Sequence, residues 1–297
     1  MIRPTPSFLF VETDMENTVP TDLLSVLIAM TLYRRPFVAP AFTTINEKLG
    51  IQSTAALPPN TYPEIGYLII GNGGHRAVTG TNGLSKNSNY QHETENYALF
   101  NQIPYVLRDP ADDLTPEERQ RFRLRKTVEI DTKSYVAYYG RRLDLANSNI
   151  VLEKRTVSPD GKVIDKTPLV PQAKNLSPTP TVLSNTGVNE LANVMHYCGI
   201  RITISFTAAD VQELINVSNI LYKDPGYAII SEMGLCSGIE KVVTAATPSG
   251  NINYNEVIGC QIMTHISGST LDMQSFTSGG FNFELYGGSD NPQYQLV

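Results

Sequence analysis

Tryptophan is absent from the 297-residue chain, cysteine occurs three times and histidine four times. Each scarcity excludes something. Cys198, Cys236 and Cys260 are odd in number and widely spaced, which is no disulfide framework and points to reduced thiols in a reducing compartment. The histidines are scattered. His92-Glu93-Thr94-Glu95 carries Asn96 where a zinc-binding helix would place its second histidine. His196 and Cys198 have no second pair at ligand spacing. No metal and no cofactor is therefore expected. Without tryptophan, a sugar-stacking platform is disfavoured.

Charge is also thin. Only 18% of residues are charged, and the net charge is −6. A chain that gripped nucleic acid as its main task would carry a basic excess, because affinity comes from neutralising phosphates. An acidic balance allows DNA to pass a surface without sticking. Apolar residues make up 41% of the chain, enough to bury a core. The first long apolar run, Leu23–Tyr33, is shorter than the roughly 20 residues that span a bilayer. Acidic Glu12, Asp14 and Glu16 precede it, so no secretory leader and no membrane partner is expected.

Reaction motifs are missing in the same way. Asn72-Gly73-Gly74-His75-Arg76 and Gly80-Thr81-Asn82-Gly83 are glycine-rich, but no Gly-Lys-Ser/Thr follows and no G-x-G-x-x-G joins a strand to a helix. No G-x-S-x-G elbow occurs. Carboxylate pairs such as Asp112/Asp113 and Glu93/Glu95 are common in any chain this long and are a weak sign of glycoside hydrolysis. The expectation is a protein that is not an enzyme.

The most informative stretch runs from Leu114 to Pro171. Thr115, Pro116 and Glu118 form a capping box with proline at the first helical position. Arg119, Arg121, Arg123, Arg125 and Lys126 follow as a basic edge, read either as a solvated helix face or as a contact for a partner. Over Thr127–Tyr139, Val128, Ile130, Val136 and Tyr138 share one parity, as in a half-buried strand. Gly140 is placed to bend it. Ile150–Val157 and Lys162–Lys166 flank Ser158-Pro159-Asp160-Gly161, a strong turn, and so form a hairpin. A ribbon like this is marginal in water unless its apolar face is covered. Val128, Ile130, Val136, Tyr138, Ile150 and Leu152 are the candidates for that face. The cover is either the chain's own core or, as expected here, an adjacent copy.

Elsewhere, strands fit Ser7–Val11 and Ile65–Ile70, and a helix capped at Thr21-Asp22 fits Asp22–Arg34, apolar on most sides. Residues 72–88 read as a long loop, and 166–180 as a proline-rich linker. Val188, Leu191, Met195 and Cys198 fall at helical spacing. Ile200–Phe206 alternate as a strand, Thr207-Ala208-Ala209-Asp210 resembles a capping box for a second helix, and strands fit Tyr227–Met233, Ile239–Thr244, Val257–Ile266 and Phe281–Tyr286. The expected class is α+β, mixed and β-rich, with a long β-hairpin arm and a C-terminal sheet packed with helices. The expected division is 1–113 loop-rich α+β, 114–171 helix plus arm, 172–186 linker, and 187–297 a C-terminal α+β unit.

The run RLRKTVEIDTKSYVAYYGRRLD at Arg123–Asp144, with the Pro/Asn/Thr-rich loops around it, resembles virion structural proteins of short-tailed bacteriophages, especially the N4-like group. The resemblance implies a head-to-tail adaptor, collar or tail-tube subunit. Such a subunit would form a homo-oligomeric ring of six- or twelvefold symmetry, touching portal or other tail proteins and passing DNA during ejection. It would assemble in the host cytoplasm and reside in the virion. It transfers no functional residue. Two other readings remain open: a receptor-binding or baseplate-type adhesin, and a hydrolase of cell-wall sugar.

Overall fold

Three of the helix starts are written in threonine. Thr44, Thr115 and Thr207 each accept an N–H from the residue three positions on, and Glu47, Glu118 and Asp210 return the bond, so orphan donors are satisfied in both directions. The computed structural model describes residues 8–12, 17–36, 38–51, 60–79, 85–146, 148–158, 163–178, 189–247, 250–272 and 281–296. In chain order the elements are β1 (Phe8–Glu12), β2 (Asn17–Pro20), α1 (Asp22–Tyr33), α2 (Ile45–Leu49), β3 (Glu64–Gly71), β4 (His75–Thr79) and β5 (Ser85–Asn89). Then come β6 (Gln102–Ile103), β7 (Val106–Arg108), α3 (Pro116–Arg119), β8 (Phe122–Ile130), β9 (Lys133–Arg142), β10 (Ile150–Val157) and β11 (Val163–Pro168). The last are β12 (Asn189–Phe206), α4 (Ala208–Tyr222), β13 (Ile229–Thr247), β14 (Gly250–Asp272) and β15 (Phe281–Leu296). The chain is α+β and β-rich, as expected. No described helix is long and apolar enough to cross a membrane.

The chain divides into two compact units: 1–13, 146–203 and 284–297 form one, and 14–145 and 204–283 form the other. This differs from the expected four consecutive segments. The reason is strand pairing, which gathers distant stretches into one sheet. The larger unit holds an eight-stranded sheet ordered β2-β14-β13-β3-β9-β7, with β6 on β3 and β8 on β9. Its core joins Ile45, Leu49, Tyr67, Ile69, Leu107, Leu124, Ala137, Tyr139, Val217, Cys236, Val257 and Ile262. The smaller unit holds a five-stranded sheet ordered β1-β15-β12-β10-β11. On one of its faces the Arg155 guanidinium lies 3.5 Å from the Tyr197 ring centroid, and both residues are buried.

The structure corrects several expectations. Residues 188–198 are not helical: from Asn189 they belong to β12, because Val194 to Ile200 pair in register with Thr156 to Ile150. The stretch 72–88 contains the β4–β5 hairpin, with His75 opposite Asn89. Helix α1 starts where expected, but the Thr21 hydroxyl donates to the Ile262 carbonyl instead of capping. It is also less buried than its composition implied: Leu23, Leu24 and Leu27 are covered, while Leu32 and Tyr33 are exposed. The hairpin expected around Ser158–Gly161 has paired strands, Thr156 opposite Asp165 and Val157 opposite Val163, and residues 159–162 lie outside the described residues. Cys198, Cys236 and Cys260 are free thiols.

The expected single arm is two separate hairpins, one in each unit. β8 turns into β9 through Asp131 and Thr132, both at positive φ (50° and 65°), with Ile130 paired to Lys133. That is the signature of a two-residue type I′ turn, which favours Asn-Gly. Asp-Thr hides it, since a β-branched residue rarely accepts this conformation. Gly140 does take positive φ (62°) within β9. Replacing Thr132 with glycine removes the steric strain and is expected to stabilise the protein by about 0.5–1 kcal/mol. A rise in urea midpoint with unchanged slope is the readout, and a fall would show that the turn is not strained.

Candidate functional site

A charged side chain in an apolar strand is costly unless its polar atoms are satisfied. Glu232 lies near the start of β13 with no exposed surface. Its carboxylate accepts N–H bonds from Gly73 (3.1 Å), Phe100 (2.9 Å) and Asn101 (2.8 Å), and from His92 Nε2 (2.9 Å). Burial pushes its pKa up, but the bonds from His92, Asn101 and Phe100 outweigh it and hold the carboxyl below the usual value. One carboxylate thereby fastens two loops to the sheet: the turn after β3 and the segment before β6.

Glycine makes the approach possible. A Cβ on Gly71 or Gly73 would stand 2.6 to 2.7 Å from the Asn101 backbone, and one on Gly74 would stand 2.6 Å from the Ser231 carbonyl oxygen. The glycine-rich stretch beginning at Asn72 is therefore a close-packed clasp. It also brings the His75 ring within 2.9 Å of the Ser231 hydroxyl, which accepts the Gly74 N–H.

Above the carboxylate, His92 is stacked between Phe100 (centroids 4.0 Å apart) and His265 (3.9 Å). His265 donates from Nε2 to the Asn96 carbonyl at 2.6 Å. Burial, followed by the neighbouring His92, lowers its pKa to about 4. Chemically this is a histidine–carboxylate pair beside a serine–histidine pair. Ser231, Glu232, His92 and His265 are all buried, and their bonds fasten the two loops to the strand. Among the described residues no cluster of three metal-ligating side chains occurs. The sequence signal for this site was a lone glutamate in the apolar run Ile229–Cys236, and only the fold shows what it binds.

The basic edge is largely used up inside the larger unit. α3 ends at Arg119, and the later basic residues lie at or in β8. Arg123 is buried, with Nε 2.9 Å from Glu240, and Arg125 is buried against Asp113 (3.0 Å) and the Tyr138 hydroxyl (3.3 Å). Arg121 pairs with Asp210, and Arg119 donates to the Leu114 carbonyl. Lys126 is half-buried and has no such partner among the described residues. Of the carboxylate pairs, Asp113 is held by Arg125 and Tyr138, while Asp112, Glu93 and Glu95 are exposed.

The interface candidates also divide. Val136 and Tyr138 are buried, and Val128 and Ile130 pack against the core of the larger unit, so the chain itself covers them. Ile150 (78% exposed) and Leu152 stand open on β10 in the smaller unit.

A family model matches residues 11–296, nearly the whole chain. The chain belongs to DUF7208, a family of unknown function. No curated protein matches it. No solved structure matches it.

Replacing Glu232 with glutamine leaves an amide facing N–H donors and is expected to cost about 3–5 kcal/mol. Asp109→Asn, at the exposed pair with Lys133, should cost well under that in the same urea titration. Equal losses would deny Glu232 its special role. His265 predicts a pH window. Its folded pKa lies below the ordinary value of 6.5, so between pH 6.5 and about 4 the unfolded state binds a proton that the folded state refuses. Stability is full above pH 6.5 and falls as pH drops toward 4, by up to about 3 kcal/mol. His265→Asn should flatten the profile between pH 6.5 and 5, and an unchanged slope would assign it to other groups.

Proposed function

We propose that this chain is a non-enzymatic structural subunit of a bacteriophage tail or neck, assembling into a homo-oligomeric ring through which DNA is ejected. The reading rests on the resemblance at Arg123–Asp144. The observation that supports it is exposed apolar surface on paired strands. In the smaller unit, Ile150 (78% exposed), Leu152 and Ile164 (66%) present apolar side chains to solvent, and Ile150 and Leu152 lie on one face of β10 beside exposed Cys198 of β12. An isolated apolar residue is ordinary, but a strip on a sheet favours a contact. Closed rings repeat one such contact around an axis. The acidic balance fits a conduit that releases DNA.

Native mass spectrometry of the purified protein at micromolar concentration tests the proposal. A single closed stoichiometry is expected. A monomer would overturn the ring.

A further inference from the structure

Sheet edges carry unpaired N–H and C=O groups, and proteins guard them with charge, proline or cover. Three edges in this chain differ in how they are treated. Around Val257–Met263, β14 is covered. Asn46 donates to the Val257 carbonyl (2.8 Å) and accepts the Cys260 N–H (2.9 Å), and the Thr21 N–H and hydroxyl donate to Met263 and Ile262. β11, the edge of the five-stranded sheet, is guarded by Asp165, Lys166 and a terminal Pro168.

The third is the distal half of the β13–β14 hairpin, and it is neither covered nor guarded. β3 pairs with β13 only over Glu232–Gly238, and β2 pairs with β14 only over Thr264–Ser267. Beyond Glu240, which is tied to Arg123 and Arg142, the two strands pair, among the described residues, only with each other, Lys241 opposite Glu256 through Ala246 opposite Asn251. This ribbon extends about 20 Å. From Val242 to Asn255 it contains no charged residue. It is also amphipathic. Val243/Tyr254 and Ala245/Ile252 share one face, while Val242/Asn255, Thr244/Asn253 and Ala246/Asn251 share the other. Val242 is 64% exposed, and the Thr244 hydroxyl donates to Asn253 at 2.7 Å.

We infer that the ribbon Lys241–Asn255 pairs edge to edge with the same ribbon of neighbouring copies, the β13 edge of one against the β14 edge of the next, closing into a β-barrel with two strands from each copy. The inference rests on the ring reading above and adds to the β10–β11 strip a second surface through which copies meet. Among the described residues, no strand pairs with either outer edge of the ribbon. A different protein adding one strand would satisfy one edge and leave the other exposed, whereas a ring of identical copies satisfies every edge with one repeated contact. A two-stranded ribbon is marginal alone, and lateral pairing gives it the neighbours it lacks. The uncharged stretch fits this: identical charges stacked around a closed barrel would repel.

The test compares wild type with Ala246→Lys/Asn253→Lys, which puts charge on two exposed ribbon positions, and with Val38→Lys, a charge at an exposed position outside both the ribbon and the β10–β11 strip. Native mass spectrometry should find wild type and Val38→Lys as the same ring and the ribbon variant as a monomer with a wild-type circular dichroism spectrum. A ribbon variant that assembles with wild-type stoichiometry overturns this inference and leaves the ring reading standing. A wild type that is itself monomeric removes the ring reading, and this inference with it. Should the ribbon variant fail to fold, hydrogen exchange on the unmodified protein decides. In the ring, amides within 242–246 and 251–255 should exchange at least about tenfold more slowly than in monomer obtained by dilution. Equal exchange would overturn the inference.

Discussion

The buried carboxylate of Glu232 is the constraint around which the larger unit is arranged. Removing an ionised group from water costs several kcal/mol after relaxation. Four donors offset that here: three backbone N–H groups and one imidazole. Those donors come from two loops far apart in sequence, so meeting the electrostatic demand also positions the loops. The glycines at 71, 73 and 74 follow from the same demand, because a side chain there would hold the backbone away from the strand. His92 is fixed by the carboxylate and then sets the plane on which Phe100 and His265 stack.

A second theme is the disposal of cations. A chain with few charges places its arginines where they are needed internally. Arg123 and Arg125 lie within β8 and reach Glu240 and Asp113, and Arg108 pairs with Glu213 on α4. Asp210 combines roles: it completes the cap of α4 and faces Arg121 and Arg141. Burial works against its ionisation, but the Thr207 N–H and the two arginines hold its pKa below the ordinary carboxylate range. What reads along the sequence as a basic edge is, in the fold, a set of internal ties.

How much was legible depended on whether the signal was local. The capping boxes at Thr115 and Thr207 are four-residue chemistry, and both formed as read. The alternation at Ile200–Phe206 and the buried run at Ile65–Ile70 likewise became strands. The misreadings share one cause. Residues 189–198 carry apolar positions that suit a helix, yet β10 was available as a partner, and pairing decided the outcome. Ser85–Asn89 has almost no strand-favouring residue and is a strand because His75–Thr79 lies beside it. Asp131-Thr132 turns the chain without the residues that normally announce such a turn.

By itself, then, the sequence determined the class, β-rich α+β with capped short helices, and the composition of each face, because side-chain parity and capping depend on neighbours a few residues away. It also determined that the ribbon from Val242 to Asn255 is uncharged. Only the tertiary structure decided that Val136 and Tyr138 are core and that Val128 and Ile130 pack against it while Ile150 is exposed, that Glu232 has four donors, and that no described strand pairs with the ribbon's outer edges. Those facts depend on which strands lie side by side, and strand pairing joins residues up to hundreds of positions apart, a separation that no local pattern encodes.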